Sequence, residues 1–494
     1  MSVGGVTKVV VVGGGCSGTL VAKEIIARWG DQACEVLVVD PAETPGRGVA
    51  YATSCPSHLL NVPAEQMSAH PDRPGHFAAW AHCRDAGVDN DSFAPRMLYG
   101  DYLEDVWRDA QRSVPAASSL AHHRSRVVSL TAAHDGSSVR VGLEHGDAVA
   151  ADHVVLAMGN LPPSVGAGLA PGMARSARYI ADPWRPGALD ELTGSVLLIG
   201  TGLTAIDTAL ALVDRGIIGP IRALSRHGLL PRTHRPDAPA VCPLVSAPAE
   251  RTVRSLIALL RGNADTYGDW RRAIDEFRPH VAEVWRTMSD IERRRFLRHA
   301  ARFWEIHRHR MAPEIADRVG NLIAASRLSV RAGVIESYRE LPGALEVVIR
   351  RRHSTGTALI SVSHVINCTG PQLRVSEAGD RLVDDLLGSG TVRPGPFGLG
   401  LDVAEDGAVI DAQGVRSRRV WSIGPLRRGA EWETTAVREI RSQAVSLATR
   451  LLAVERSEQL PVHVEVQDTL PSALLTTIAT AVASPGVERA GVIS

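Results

Sequence analysis

Two glycine-rich turns about 190 residues apart, Gly13-Gly14-Gly15-Cys16-Ser17-Gly18 and Gly200-Thr201-Gly202-Leu203-Thr204-Ala205, each follow a β-branched strand and open an alanine-containing helix. A turn of this kind brings backbone N–H groups and a helix N-terminus against a pyrophosphate, and glycine lets the chain approach closely. One such fingerprint is a weak signal, whereas two in a strand-turn-helix context point to electron transfer between two bound dinucleotides. Asp40 ends the next strand, 22 residues beyond Gly18, where a carboxylate accepts hydrogen bonds from an adenosine ribose. The second unit has no acid there. Its strand Ile221 to Leu224 runs into Ser225-Arg226-His227, and an arginine suits a 2′-phosphate, so Gly200, Gly202, Thr204 and Arg226 are expected to hold NADPH rather than NADH.

Other groups could recognise an anion. Lysine occurs only at Lys8 and Lys23, which excludes a Schiff-base lysine in the body of the chain and leaves anion binding to arginine. Arg232, His234 and Arg235, then Arg298, His299, His307, Arg308 and Arg310, are candidate contacts to substrate carboxylates. His307-Arg308-His309 lacks a third ligand for a metal shell, and no metal is expected. Cys242 is a lone thiol without a resolving partner, and Gly-x-Ser-x-Gly is absent, which removes a serine-hydrolase reading.

The elements that must position these groups follow from pattern. Strand Lys8 to Val12, helix Leu20 to Arg28 and strand Glu35 to Val39 form one βαβ unit, and strand Gly194 to Ile199 opens a second. From 249 to 327 the apolar residues, Trp270, Ile274, Phe277, Val281, Val284, Trp285 and Met288 among them, fall on helical spacing, which predicts a helical insertion. Strands return at Leu328 to Val334, Ala344 to Ile349 and Ala358 to Asn367. Asp152 to Ala157 ends in Met158-Gly159 and Ala358 to Asn367 ends in Cys368-Thr369-Gly370, two places where a small residue and glycine allow the chain to cross between domains. After strand Val420 to Ile423, Gly424-Pro425 and an arginine-bearing loop lead to Glu433-Thr434-Thr435. Thr434 or Thr435 is expected to cap the helix that follows. Leu470 to Val482 reads as an amphipathic helix serving either peripheral packing or a dimer contact.

The predicted architecture is α/β, with two Rossmann-like dinucleotide-binding domains. The first domain is discontinuous, 1–165 and 355–455, with the second inserted at 166–354 and a tail at 456–494. Composition agrees: 494 residues with 45% apolar residues can bury large cores, and 54 basic against 54 acidic residues argue against a nucleic-acid surface. Six scattered cysteines without a C-x-x-C pair fit a reducing, cytoplasmic setting, and no apolar run reaches membrane-spanning length.

Longer blocks carry a more specific resemblance. Gly46-Arg47-Gly48-Val49-Ala50-Tyr51, His58 to Ala64 with Met67-Ser68, Pro95-Arg96 with Tyr99-Gly100, Gly202-Leu203-Thr204-Ala205 with Asp207, Phe296 to His299 leading to His307-Arg308-His309-Arg310, and Glu433-Thr434-Thr435 together resemble the two-dinucleotide flavoproteins related to N-hydroxylating flavin monooxygenases. Some of these oxidise the amine of aspartate towards nitrosuccinate. The resemblance implies FAD in the first domain, with Gly13, Gly15, Gly18 and Asp40 at its adenosine and pyrophosphate. Asn61, Met67 and Ser68 would then lie near the isoalloxazine, and Gly424, Glu433 and Thr434 on its other side. It implies an FAD- and NADPH-dependent monooxygenase that uses molecular oxygen to N-hydroxylate a small amino acid such as aspartate, through a flavin C4a-hydroperoxide. An NAD(P)H-dependent reductase using the same two cofactors, and a redox-sensing, partner-binding flavoprotein that keeps the fold and FAD with little turnover, remain open alternatives.

Overall fold

The computed structural model describes residues 6–30, 32–133, 135–163, 172–235, 248–352 and 356–459. Cys242 and the stretch 470–482 lie outside the described residues. The chain separates into one compact unit, 1–452, and a second, 453–494.

The first sheet is built on β1 (Thr7–Val12), β2 (Cys34–Val39) and β3 (Ser119–His123). A three-stranded antiparallel sheet follows, β4 (Val127–Ala132), β5 (Val139–Leu143) and β6 (Ala148–Ala151), which the sequence reading did not foresee, and then β7 (His153–Leu156). The second sheet holds β8 (Tyr179–Ile180), β9 (Val196–Ile199), β10 (Ile221–Ser225), β11 (Leu328–Leu341), β12 (Ala344–Arg351), β13 (Thr357–Val362) and β14 (His364–Asn367). The chain then returns to the first sheet with β15 (Ala408–Ile410) and β16 (Arg416–Ser422).

The two sheets repeat one plan. In the first, β1 lies between β2 and β7, all parallel, with β16 parallel to the far side of β7. In the second, β9 lies between β10 and β14, all parallel, with β8 on the far side of β14. Each central strand is buried on both faces, which is why Val9-Val10-Val11-Val12 and Val196-Leu197-Leu198 read as continuous apolar runs. The chain crosses between the sheets after β7 and again after β14, the two strands that end in the small-residue and glycine pattern.

The sheets correct one expected boundary. Residues 357–367, assigned by pattern to the returning part of the first domain, belong to the second sheet: β13 pairs with β12 and β14 pairs with β9. Apolar patterning marks a strand without saying which sheet receives it, and the return begins only after Asn367. The 165/166 boundary falls in a stretch outside the described residues.

Six helices, Val253–Tyr267, Trp270–Phe277, Val281–Thr287, Asp290–His299, Ala301–Arg308 and Pro313–Ala324, fill the crossover from β10 to its parallel neighbour β11. Their buried face contains Ile274, Phe277, Val281, Val284, Trp285, Met288 and Trp304 and packs against Trp432 and Leu399 of the returning segment. The insertion is thus a cap anchored on residues that follow the second crossing. Trp285 donates its indole N–H to the carbonyl of Gly429 at 2.8 Å, and Arg278 forks onto Glu439 at 2.7 and 2.9 Å.

Candidate functional site

Both fingerprint helices start in the same way. Cys16–Trp29 follows Gly15 and Leu203–Asp214 follows Gly202; neither has a side-chain cap or an acid in its first turn, so the leading N–H groups of each are left for an anion. The first glycine of each turn has positive φ, +102° at Gly13 and +123° at Gly200. A Cβ on Gly13 would stand 2.6 Å from the carbonyl oxygen of Ala157, and one on Gly200 would stand 2.1 Å from that of Cys368. These carbonyls end β7 and β14, so each turn is pressed onto the strand from which the chain crosses to the other sheet.

The residues of the first turn fit an adenine dinucleotide. Gly15 faces Gly48, and a Cβ on either would come within 3.2 Å of the other's Cα, so two missing side chains leave a cradle at the helix N-terminus. Asp40 stands beside it, with its carboxylate accepting from the N–H of Gly14 at 2.7 Å and of Ala42 at 2.8 Å. Gly424, with φ +78°, returns to the same place; a Cβ there would lie 2.7 Å from the Ser17 hydroxyl oxygen. Gly424 is locked by Gln443, whose side-chain oxygen accepts from its N–H at 2.8 Å, and by the Thr434 hydroxyl, which donates to its carbonyl at 2.8 Å. Gln443 also donates to Thr434 Oγ1 at 2.7 Å. Thr434 is therefore a brace between loop and helix, not the expected helix cap.

The second turn opens into a cavity of about 900 Å³. Gly200, Gly202, Thr204 and Arg226 all line it. The wall continues through Arg302, Glu305, Ile306 and His309 of the cap to Arg428 and Thr435 of the returning segment. The cavity thus runs from the outer end of β10 to the loop where the two dinucleotide folds meet. Arg226 is exposed and lines the cavity just beyond the end of β10.

At the inner end the electrostatics are dominated by buried arginine. Glu433 is 7% exposed and Arg308 5%; the indole N–H of Trp304 donates to one Glu433 oxygen at 2.8 Å, and Arg308 Nε lies 3.4 Å from the other. Burial pushes the Glu433 carboxyl up, but Arg308, His309, the Trp304 N–H and Arg278 outweigh it and hold the group at about 2. His309 is driven down to about 4 by burial and by Arg308, and so stands neutral on the cavity wall at pH 7. Arg308 keeps Nε and Nη2, and Arg428 keeps Nε, buried without an aligned hydrogen-bond acceptor. Such groups are costly to leave unmet.

The other candidate residues are placed differently. The Arg310 guanidinium is closed off by Asp275 at 2.7 and 2.9 Å and by the carbonyls of His307 and Arg271. Arg232 and Arg235 are exposed, the latter near Asp269 at 3.4 Å. His307 donates to the carbonyl of Phe303 at 2.7 Å. None of these four lines the cavity. His234 donates to the carbonyl of Asn61 at 2.9 Å, Met67 is buried, and the Ser68 hydroxyl closes a turn onto the carbonyl of Arg73 at 2.6 Å. Three sequence blocks without an expected partner meet one another instead: Arg96 pairs with Asp207 at 2.9 Å, and His58 Nε2 lies 3.0 Å from the Asp207 carbonyl oxygen. That contact ties the loop after the first turn to the helix of the second. Arg428 and Arg302 were missed; the signal available was an arginine among aromatic residues, which marks many surface positions as well.

The strand order, the duplicated turns and the cap define the fold of a two-dinucleotide-binding flavoprotein, and residues 10–161 match the family described as FAD-NAD(P)-binding. Across the whole architecture the chain is similar to the ornithine hydroxylase of Pseudomonas aeruginosa, with a TM-score of 0.61 at 16% identity over 91% of this chain and 100% of that one. It is similar as well to the L-lysine 6-monooxygenase of Pseudomonas syringae, with a TM-score of 0.59 at 16% identity over 91% and 99%. In sequence it is 32% identical over 172 residues to the nitrosuccinic acid synthase of Aspergillus oryzae, covering 31% of this chain and 26% of that protein. It is 31% identical over 254 residues to the nitrosuccinate-forming L-aspartate N-monooxygenase of Streptomyces cremeus, covering 42% and 38%. The chain thus spans less than two fifths of the length of these two relatives. Among the described residues no helix is long and apolar enough to cross a membrane.

Proposed function

We propose that this chain is an FAD- and NADPH-dependent monooxygenase that hydroxylates the amine nitrogen of a small dicarboxylic amino acid such as aspartate, acting in the cytoplasm. The observation that carries the reading is the buried guanidinium of Arg428 on the cavity wall, whose Nε has no hydrogen-bond acceptor. Arg428, on the wall, offers a guanidinium for a carboxylate, while the charge of Arg308 behind it is met by the ionised Glu433. The similarity to aspartate N-monooxygenases supports the amine as the reacting group.

FAD, when bound, supplies the electron transfer from nicotinamide and the activation of oxygen. The chain's residues bind and orient. Gly200 to Thr204 and Arg226 hold the nucleotide, and the cap helix Ala301–Arg308 covers its path and excludes water. The reacting amine must carry a lone pair. His309, neutral at pH 7, adds no charge of its own to the cavity wall.

The test uses FAD-loaded protein with NADPH, oxygen and a panel of amino acids. Aspartate or a close homologue is expected to accelerate NADPH oxidation and to gain oxygen on nitrogen by mass spectrometry. NADPH oxidation that yields only hydrogen peroxide with every amino acid would reject N-hydroxylation. In the same assay Arg226→Ala is expected to raise the KM for NADPH roughly 10- to 100-fold, the worth of a charge-assisted phosphate contact, while leaving that for NADH within about twofold. Equal losses for both nucleotides would remove Arg226 from the 2′-phosphate.

A further inference from the structure

We infer that Arg302, a residue of the cap and not of the dinucleotide fold, is the side-chain ligand of the nucleotide's pyrophosphate. This rests on reading the 900 Å³ cavity as the NADPH site. The side chain reaches across the cavity to the second glycine turn: a Cβ built on Gly202 would have Arg302 Nη2 as its nearest neighbour, at 3.8 Å. Gly202 caps the helix Leu203–Asp214 without a side-chain acceptor, so a guanidinium stands against the positive end of a twelve-residue helix. Two positive groups thus stand close together on the cavity wall, which Gly200, Thr201 and Thr204 also line. An anion between them satisfies both.

Arg302 has one carboxylate partner among the described residues, Glu305 at 3.1 Å, one turn along the same helix. Glu305 also lies 3.3 Å from Arg428 Nη2. Half-exposed and shared, that carboxylate leaves Arg302 donors for a phosphate. Arg226, by contrast, sits at the outer end of β10, where the ribose 2′ position is expected. The two arginines therefore divide the nucleotide between them. Arg302 reads what NADP+ and NAD+ share, and Arg226 reads what distinguishes them. Because Arg302 opens the helix that also carries His309 at its end, a bound nucleotide fastens the cap over the inner site.

The full chain, loaded with FAD, is titrated calorimetrically with NADP+, NAD+ and adenosine 2′-monophosphate, which lacks a pyrophosphate. Arg302→Gln is expected to weaken NADP+ and NAD+ by the same factor, roughly 10- to 100-fold, to leave adenosine 2′-monophosphate unchanged, and to be partly restored by Arg302→Lys. Arg226→Ala is expected to weaken NADP+ and adenosine 2′-monophosphate and spare NAD+. Losses in Arg302→Gln confined to NADP+ and adenosine 2′-monophosphate would move Arg302 to the 2′-phosphate and overturn the inference, as would no loss at all. Wild-type protein that binds neither NADP+ nor NAD+ would instead overturn the cavity assignment beneath it. Unchanged flavin absorbance and circular dichroism in the variants exclude misfolding as the source of any loss.

Discussion

Gly18→Ala is expected to yield protein that is insoluble or has lost more than about 3 kcal/mol of stability, whereas Gly15→Ala, three residues earlier, is expected to fold and lose FAD. A Cβ on Gly18 would sit 1.8 Å from the carbonyl oxygen of Gly13. That atom belongs to the backbone of the turn, so no side chain can move aside, and the helix must lift from β1, whose Val11 side chain lies 3.5 Å from the same added Cβ. Gly15 differs. Its φ is −69°, open to any residue, and its Cβ would meet only Gly48 Cα at 3.2 Å. The added methyl narrows the cradle between two glycines while leaving strand and helix in place. Soluble yield, thermal melting and the ratio of flavin to protein absorbance separate the two effects. A Gly18→Ala protein that is yellow and melts with the wild type would reject this account of the turn. The third glycine of the fingerprint is thus a packing residue, and the second is the one expected to face the cofactor.

The contrast also explains what could be read before the fold was known. Both turns, their strands and the cap were legible because each carries a local signal: glycine where a Cβ meets backbone, β-branched runs in strands buried on both faces, and apolar residues at helical spacing from Ile274 to Met288. The sheet that receives residues 357–367 was not legible, since pairing with β9 is a long-range choice that leaves no trace in the strand's own pattern. Among the site residues, Gly200, Gly202, Thr204 and Arg226 stand together because one fingerprint specifies them. The arginines of the cap divide otherwise. Arg308 and Arg310 are two positions apart and both buried, yet Arg310 is closed off by Asp275 and two carbonyls, while Arg308, 3.4 Å from Glu433, keeps donors without an aligned acceptor. How fully each of two neighbouring arginines is satisfied depends on the tilt of a helix against its neighbours, and sequence spacing does not fix that tilt.

The cap also constrains the loop that sequence motifs had placed beside the flavin. Trp432 adopts φ +60°, unusual for a bulky residue, and lies buried against Trp285 and Phe296 with the Arg428 guanidinium 4.4 Å from its ring centre. Holding this backbone requires the indole of Trp285 on the Gly429 carbonyl and that of Trp304 on Glu433. Arg428, Glu433 and Thr435 are thereby presented from a fixed loop, which a site for directional carboxylate recognition needs.

That geometry sets the expectation for Arg428. Replacing it with methionine keeps the aliphatic stem against Trp432 and removes the guanidinium from the cavity wall. The KM for the dicarboxylic amino acid is expected to rise roughly 10- to 100-fold, the worth of one or two charge-assisted hydrogen bonds out of water. NADPH oxidation is expected to continue with more of it lost to hydrogen peroxide, because a poorly held amine no longer competes for the activated oxygen. FAD content should not change. Arg428→Lys retains the charge without the fork and is expected to fall between the two. Arg310→Met supplies the opposite control: its guanidinium is 4% exposed and engaged with Asp275, so its loss leaves a carboxylate and two carbonyls without their donor and should cost about 3 kcal/mol or more of stability with little change in KM. Initial rates against substrate concentration, paired with thermal melts, distinguish the variants. An unchanged KM in Arg428→Met would place the carboxylate on another group. A raised KM in Arg310→Met without loss of stability would return recognition to the residue that the packing argues is sealed.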